Sequence, residues 1–222
     1  MTAKEGFIPY QAQSLNPEDT KRASSGFYQL MDKRRSLRNF SNQPVAREVI
    51  ENLILTASSA PSGAHKQPWT FCAVSAPEIK KQIRAAAEAE EYENYHGRMS
   101  DEWLKDLEKF NTNWKKEFLE IAPYLIVVFK KTYDVNEGDR SKNYYVNESV
   151  GLACGFLLTA IHNAGLVALT HTPSPLGFLH KILKRPENEK PFLLIPVGYP
   201  ADDALVPILH RRELDEVAAF YE

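Results

Sequence analysis

Three arginines and a serine fall within five residues in Arg34-Arg35-Ser36-Leu37-Arg38. Guanidinium forks grip phosphate oxygens two bonds at a time, which a lysine point charge cannot do. The chemistry on offer is phosphate binding, and Arg211 near the carboxyl end could join the same phosphate if the fold returns there. A solvated basic edge is the plainer reading of so short a run. Three further groups carry chemistry. In Pro61-Ser62-Gly63-Ala64, small side chains leave backbone N–H groups open to a flat ring or an oxyanion; a plain surface turn would look the same. Glu91 and Tyr95 are four residues apart, so a helix would put them on one face, and Lys116 lies at the end of the next helical stretch. An anion, a phenol and a cation would together suit the ammonium and carboxylate of an amino acid, if an antiparallel helix pair brings Lys116 back. Two solvated helix faces are the alternative. Finally, Thr170-His171-Thr172 follows a strand, where a threonine hydroxyl can donate to a ring nitrogen or bond its own backbone.

The elements that must position these groups are legible as periodicities. Residues 1–22 are polar with two prolines and read as an extended arm, followed by a single domain over 23–222. Helices are expected over 24–33, 45–57, 76–94, 100–121 and 147–164, with a short one before 183. The runs 70–74, 124–129, 166–170 and 192–197 read as strands. The second is apolar at every position, as in a strand covered on both faces. Residues 131–143 read as a charged surface loop. The order does not alternate as a plain doubly wound sheet, and neither GxGxxG nor GxxxxGK[ST] occurs.

Composition narrows the partners. The chain has 222 residues, 43% hydrophobic and 25% charged, with a net charge of -2. That balance gives no reason to expect nucleic acid or a membrane surface. Cys72 and Cys154 lie singly in apolar runs and His171 has no metal-spaced partner, so no disulfide scaffold or metal site is expected. No apolar run approaches the ~20 residues of a membrane span. A cytoplasmic protein is expected.

These pieces, in this order, resemble the nitroreductase-like flavoprotein superfamily, and within it the iodotyrosine deiodinase branch. The resemblance covers about residues 25–220 and includes Pro68-Trp69-Thr70-Phe71 and Pro196-Val197-Gly198-Tyr199-Pro200. The arginine motif is widely shared in the superfamily, whereas Glu91, Tyr95 and Lys116 at this spacing are specific to the branch. The resemblance implies an α+β nitroreductase-like sandwich, with a mixed central sheet flanked by helices, in an intertwined homodimer with FMN at the interface. Arg34, Arg35, Ser36, Arg38 and Arg211 would hold the FMN phosphate and ribityl chain. Pro61, Ser62 and Gly63 would lie along the flavin. Thr170 and Thr172 would face its ring, with His171 between them among the cofactor-binding residues and Thr172 bonding N5 and favouring one-electron steps. Ala64 N–H would bind a substrate phenolate, while Glu91, Tyr95 and Lys116 would clasp the zwitterion of a halogenated tyrosine under a lid. The implied reaction is reductive dehalogenation, 3-iodotyrosine giving tyrosine and iodide, with NAD(P)H or an unidentified reductase as electron source. A general NAD(P)H-dependent nitroreductase or quinone reductase would use the arginines but leave Glu91, Tyr95 and Lys116 idle. A flavin-binding relative that does not dehalogenate would bind no iodotyrosine.

Overall fold

The computed structural model describes residues 6–136 and 138–222. The chain divides into two compact units, Met1–Arg34 and Arg35–Glu222. In the first, residues 7–16 form no helix or strand, while residues 1–5 of the expected arm lie outside the described residues. Helix α1 (Pro17–Asp32) starts earlier than the apolar spacing of 24–33 suggests. The cause is its entry chemistry. The Asn16 side chain accepts the Asp19 N–H at 2.8 Å, Pro17 occupies the first turn where its missing donor costs nothing, and Glu18 and Asp19 face the positive helix end. Pro17 starts a helix here; it does not break one.

The second unit is organised on a four-stranded sheet of β1 (Trp69–Val74), β2 (Tyr124–Lys131), β5 (Val167–Ala168) and β6 (Glu189–Gly198), in the order β1-β2-β6-β5. These strand pairs are antiparallel, and the parallel element of the expected mixed sheet is the bridge between Ser36 and Ala168. Strand β2 is covered on both faces. Ile126 and Val128 join Ile195 and Val197 under α2 (Arg47–Ser58) and α6 (Val146–Asn163). Leu125, Val127 and Phe129 point the other way, to α3 (Pro77–Glu93), α5 (Phe118–Ile121) and α7 (Gly177–Ile182). An alternating strand between two helical layers must be apolar at every position, which is why 124–129 reads as one uninterrupted run.

Two expectations are corrected. The helix expected over 100–121 is interrupted. After α4 (Asp101–Glu108) the chain turns through Asn111 at φ 44°, and the Asn113 side chain accepts the Lys115 N–H at 2.8 Å before α5 begins. Asparagine tolerates the left-handed region and competes for local backbone donors, so the apolar spacing of Phe110 and Trp114 does not carry the helix across. The loop expected over 131–143 contains a hairpin, β3 (Tyr133–Asn136) and β4 (Asp139–Lys142), with Gly138 at φ 94° in its turn. Tyr133 and Val135 alternate with Asp134 and Asn136, a period-two signal that the charge content obscured. Glu137 lies outside the described residues.

Candidate functional site

The second unit gathers Glu91, Tyr95 and Lys116. Glu91 lies in the last turn of α3, and a π-turn over Asn94–Arg98 continues from it to place Tyr95 on the same side. Chain reversal through α4 and the bend at 109–117 returns Lys116, whose N–H donates to Glu88 Oε1 at 2.7 Å. Lys116 Nζ then stands 3.0 Å from Glu91 Oε2, with side chains only 4% and 8% exposed. It also donates to the Asn113 carbonyl and lies 5.4 Å from the centre of the Tyr95 ring, in cation–π range. Burial holds the Lys116 ammonium below its usual pKa, against the opposing pull of Glu91. Burial likewise raises the Tyr95 phenol, against a hydrogen bond with Thr112. A buried pair of opposite charges is costly to desolvate and is held only where the geometry is good.

These side chains line a cavity of about 190 Å³ whose other walls include Arg38, Thr170, His171 and Thr172. The arginine segment runs along the sheet edge, with Leu37 and Phe40 buried as anchors and the Leu37 N–H bonded to Ala168 O at 3.1 Å. Arg38 stacks 5.8 Å over the Phe110 ring, and burial lowers its pKa. With Ser36 it also lines a second cavity of about 740 Å³. Arg38 therefore borders both spaces. Arg35 donates to the Pro207 carbonyl. Arg211 is exposed and lines neither cavity, and Arg34 closes the first unit with its N–H on Met31 O.

Backbone alternation sorts the 170–172 segment. Thr170 and Thr172 are exposed, whereas His171 is buried between a two-bond backbone bridge to Leu194 and the edge of the Phe118 ring, 5.4 Å away. Its Nε2 has no hydrogen-bond partner, and burial, with Lys116 and Arg38 nearby, depresses its pKa to about 3. An unfolded histidine titrates near 6.5, so between about 6.5 and about 3 the unfolded chain binds the extra proton and acid favours unfolding. Thermal melts from pH 7 to pH 4 should therefore fall more steeply for the wild type than for His171→Leu. Parallel slopes would contradict the buried neutral imidazole.

The 61–64 segment sits elsewhere. The Gly63 N–H bonds Ser149 Oγ at 3.3 Å, and a Cβ at Gly63 would come within 3.0 Å of Tyr144 O and the Tyr145 ring. Ser62 Oγ accepts the Gln67 N–H at 2.9 Å. Ala64 is exposed at φ 50°, and neither cavity is lined by any residue of 61–64. Within one chain, then, the expected site comes together in two parts. Sequence reasoning missed Asn94 and Thr112, although Asn94 lies three residues after Glu91 and so on its face.

The nitroreductase family model matches residues 31–199. An iodotyrosine deiodinase of Haliscomenobacter hydrossis is 63% identical over the full length of both chains. The chain belongs to the nitroreductase family, in its iodotyrosine deiodinase branch. The zebrafish (Danio rerio) iodotyrosine deiodinase is 48% identical over 95% of this chain and 72% of its own. A crystal structure of oxidized iodotyrosine deiodinase bound to FMN and 3-iodo-L-tyrosine superposes with a TM-score of 0.75 at 31% identity, over 87% of this chain and all of that one.

Proposed function

We propose that this chain is an FMN-dependent reductive dehalogenase of halogenated tyrosines, converting 3-iodotyrosine to tyrosine and iodide. The observation that carries the reading is the buried Glu91–Lys116 pair facing Tyr95 in the same cavity as Thr170 and Thr172. A zwitterion is the ligand such a pair suits: its ammonium takes Glu91, its carboxylate takes Lys116, and four alternating charges replace two.

The donor set fits FMN. Ser36 and Arg38 line the larger cavity, Arg38 and the two threonines line the smaller, and the arginine-rich segment suits a phosphate. Arg35, Ser36, Arg38 and Arg211 hold the phosphate and ribityl chain, while Thr170 and Thr172 face the ring. Bound FMN supplies the two electrons that, with one proton, release the halide. The residues of the chain orient the substrate and exclude water from it. A halogen beside the phenol lowers its pKa, so the bound form is the phenolate and a backbone N–H is its fitting partner.

That N–H is Ala64's, and it comes from a second copy of the chain. Ala64, with Pro61, Ser62 and Gly63, stands apart from the cavity of its own chain, so the site is completed by a homodimer. The exposed Leu152 and Phe156 on α6 supply apolar surface for that contact. The extended amino-terminal arm lies over the partner. NAD(P)H or a separate reductase is the electron source. The two cysteines are unpaired, in keeping with the cytoplasm. Titrating FMN-loaded protein with 3-iodotyrosine should quench the flavin fluorescence saturably; an unchanged emission would contradict the reading.

A further inference from the structure

Asn94 stands at the junction of α3 and the π-turn and is only 7% exposed. Its backbone N–H, its backbone C=O and its side-chain N–H are all engaged. Its N–H bonds the carbonyls of Glu90 and Glu91, and its C=O accepts the Met99 N–H at 2.9 Å, which closes the turn that carries Tyr95. Its side-chain amide crosses to a different part of the chain and donates to the Ser174 carbonyl at 2.9 Å. Ser174 lies two residues beyond Thr172. On the other side of Thr172, His171 is fixed to β6 by paired backbone bonds to Leu194 of 2.8 and 3.2 Å. Thr172 thus hangs between a rigid point on the sheet and a point held by the turn that carries the zwitterion clamp. π-Turns recur at functional sites because the extra residue re-aims side chains that a plain helix would present elsewhere.

We infer that Asn94 is a positioning residue that couples closure of Glu91 and Tyr95 on the substrate to the placement of Thr172 against the flavin ring. This rests on the proposed roles of Glu91, Tyr95 and Lys116 as the substrate clamp and of Thr172 at the ring. The path is short. A shift of the turn when Glu91 takes the substrate ammonium moves Asn94, and Asn94 carries the Ser174 carbonyl with it. Without the amide donor, the clamp still binds, but Thr172 no longer feels the ligand.

The test compares wild type with Asn94→Ala in FMN-loaded protein, using 3-fluorotyrosine, whose carbon–fluorine bond resists reduction. Its dissociation constant is read by fluorescence quenching, and the ligand-induced shift of the flavin reduction potential by redox titration. The variant should bind within about threefold of wild type but lose most of that shift, and iodide release from 3-iodotyrosine should show kcat down about tenfold with KM little changed. A full wild-type shift in the variant would overturn the coupling. So would affinity and shift falling together, which is the signature of a merely structural residue. Should the alanine variant not fold, Asn94→Asp keeps the size and removes the donor, and is read in the same way. No quenching of the wild type would instead overturn the substrate reading, and the coupling with it.

Discussion

Replacing Glu91 with glutamine weakens binding of 3-iodotyrosine by about 100-fold or more while leaving FMN bound. The size follows from burial. Removing one member of a desolvated, hydrogen-bonded charge pair costs several kcal/mol, roughly 2–5, because the other charge stays behind unpaired. Lys116 is 4% exposed and already below its usual pKa through burial, with Glu91 the chief influence raising it. In Glu91→Gln that support is lost, so the ammonium is pushed further toward its neutral form just as the substrate carboxylate needs it charged. The substrate ammonium also loses its counter-ion, so both ends of the zwitterion suffer from one substitution. Isothermal titration with 3-iodotyrosine reads the affinity, and the flavin absorbance of the purified variant reads the cofactor. A change under fivefold in affinity would mean that the pair is structural and the ligand binds elsewhere.

Arg38→Ala produces the second large effect, on the cofactor. Arg38 borders both cavities, has its guanidinium over the Phe110 ring, and carries its charge in partly desolvated surroundings. A charge-assisted hydrogen bond contributes about 1.5–3 kcal/mol, and a guanidinium can make two at once. The dissociation constant for FMN should rise about 30-fold or more, measured by equilibrium dialysis. Arg38→Lys should recover only part of the loss, because an ammonium keeps the charge but neither the fork nor the flat face that stacks on Phe110. Full recovery with lysine would reduce the role of Arg38 to bulk charge.

How far the sequence announced all this depended on the kind of signal. The uninterrupted apolar run of β2 could only be a doubly covered strand, and the structure covers both its faces. The four-residue step from Glu91 to Tyr95 needed only local geometry. The return of Lys116 needed a chain reversal, and polar residues near 98 and 111–113 provided it. Where the reading went astray, side-chain chemistry overrode the pattern. Asn16 and Pro17 start α1 before its apolar face begins, Asn111 and Asn113 end a helix whose aromatic spacing ran on, and alternating charges hid the hairpin at 133–142. Asn94 offered only its place three residues after Glu91: its partner lies 80 residues away, and no local pattern encodes that contact.

The separation of the 61–64 segment from the clamp bears on the same point. Both parts were picked out as chemistry-bearing from residue type alone; under the proposed homodimer they come from different copies of the chain, and spacing along one chain carries no trace of that. Leu152 and Phe156 of α6 and, in the carboxyl-terminal segment, Leu205, Ile208, Phe220 and Tyr221 are exposed, and they are the apolar surface that the proposed homodimer would cover.

One reaction examines the whole account at once. FMN-loaded protein is reduced with dithionite under anaerobic conditions, 3-iodotyrosine is added, and the products are separated. Tyrosine and iodide should appear in equal amounts, one of each per reduced flavin, as the flavin returns to its oxidised spectrum. Recovery of unchanged 3-iodotyrosine beside a flavin that stays reduced would contradict it.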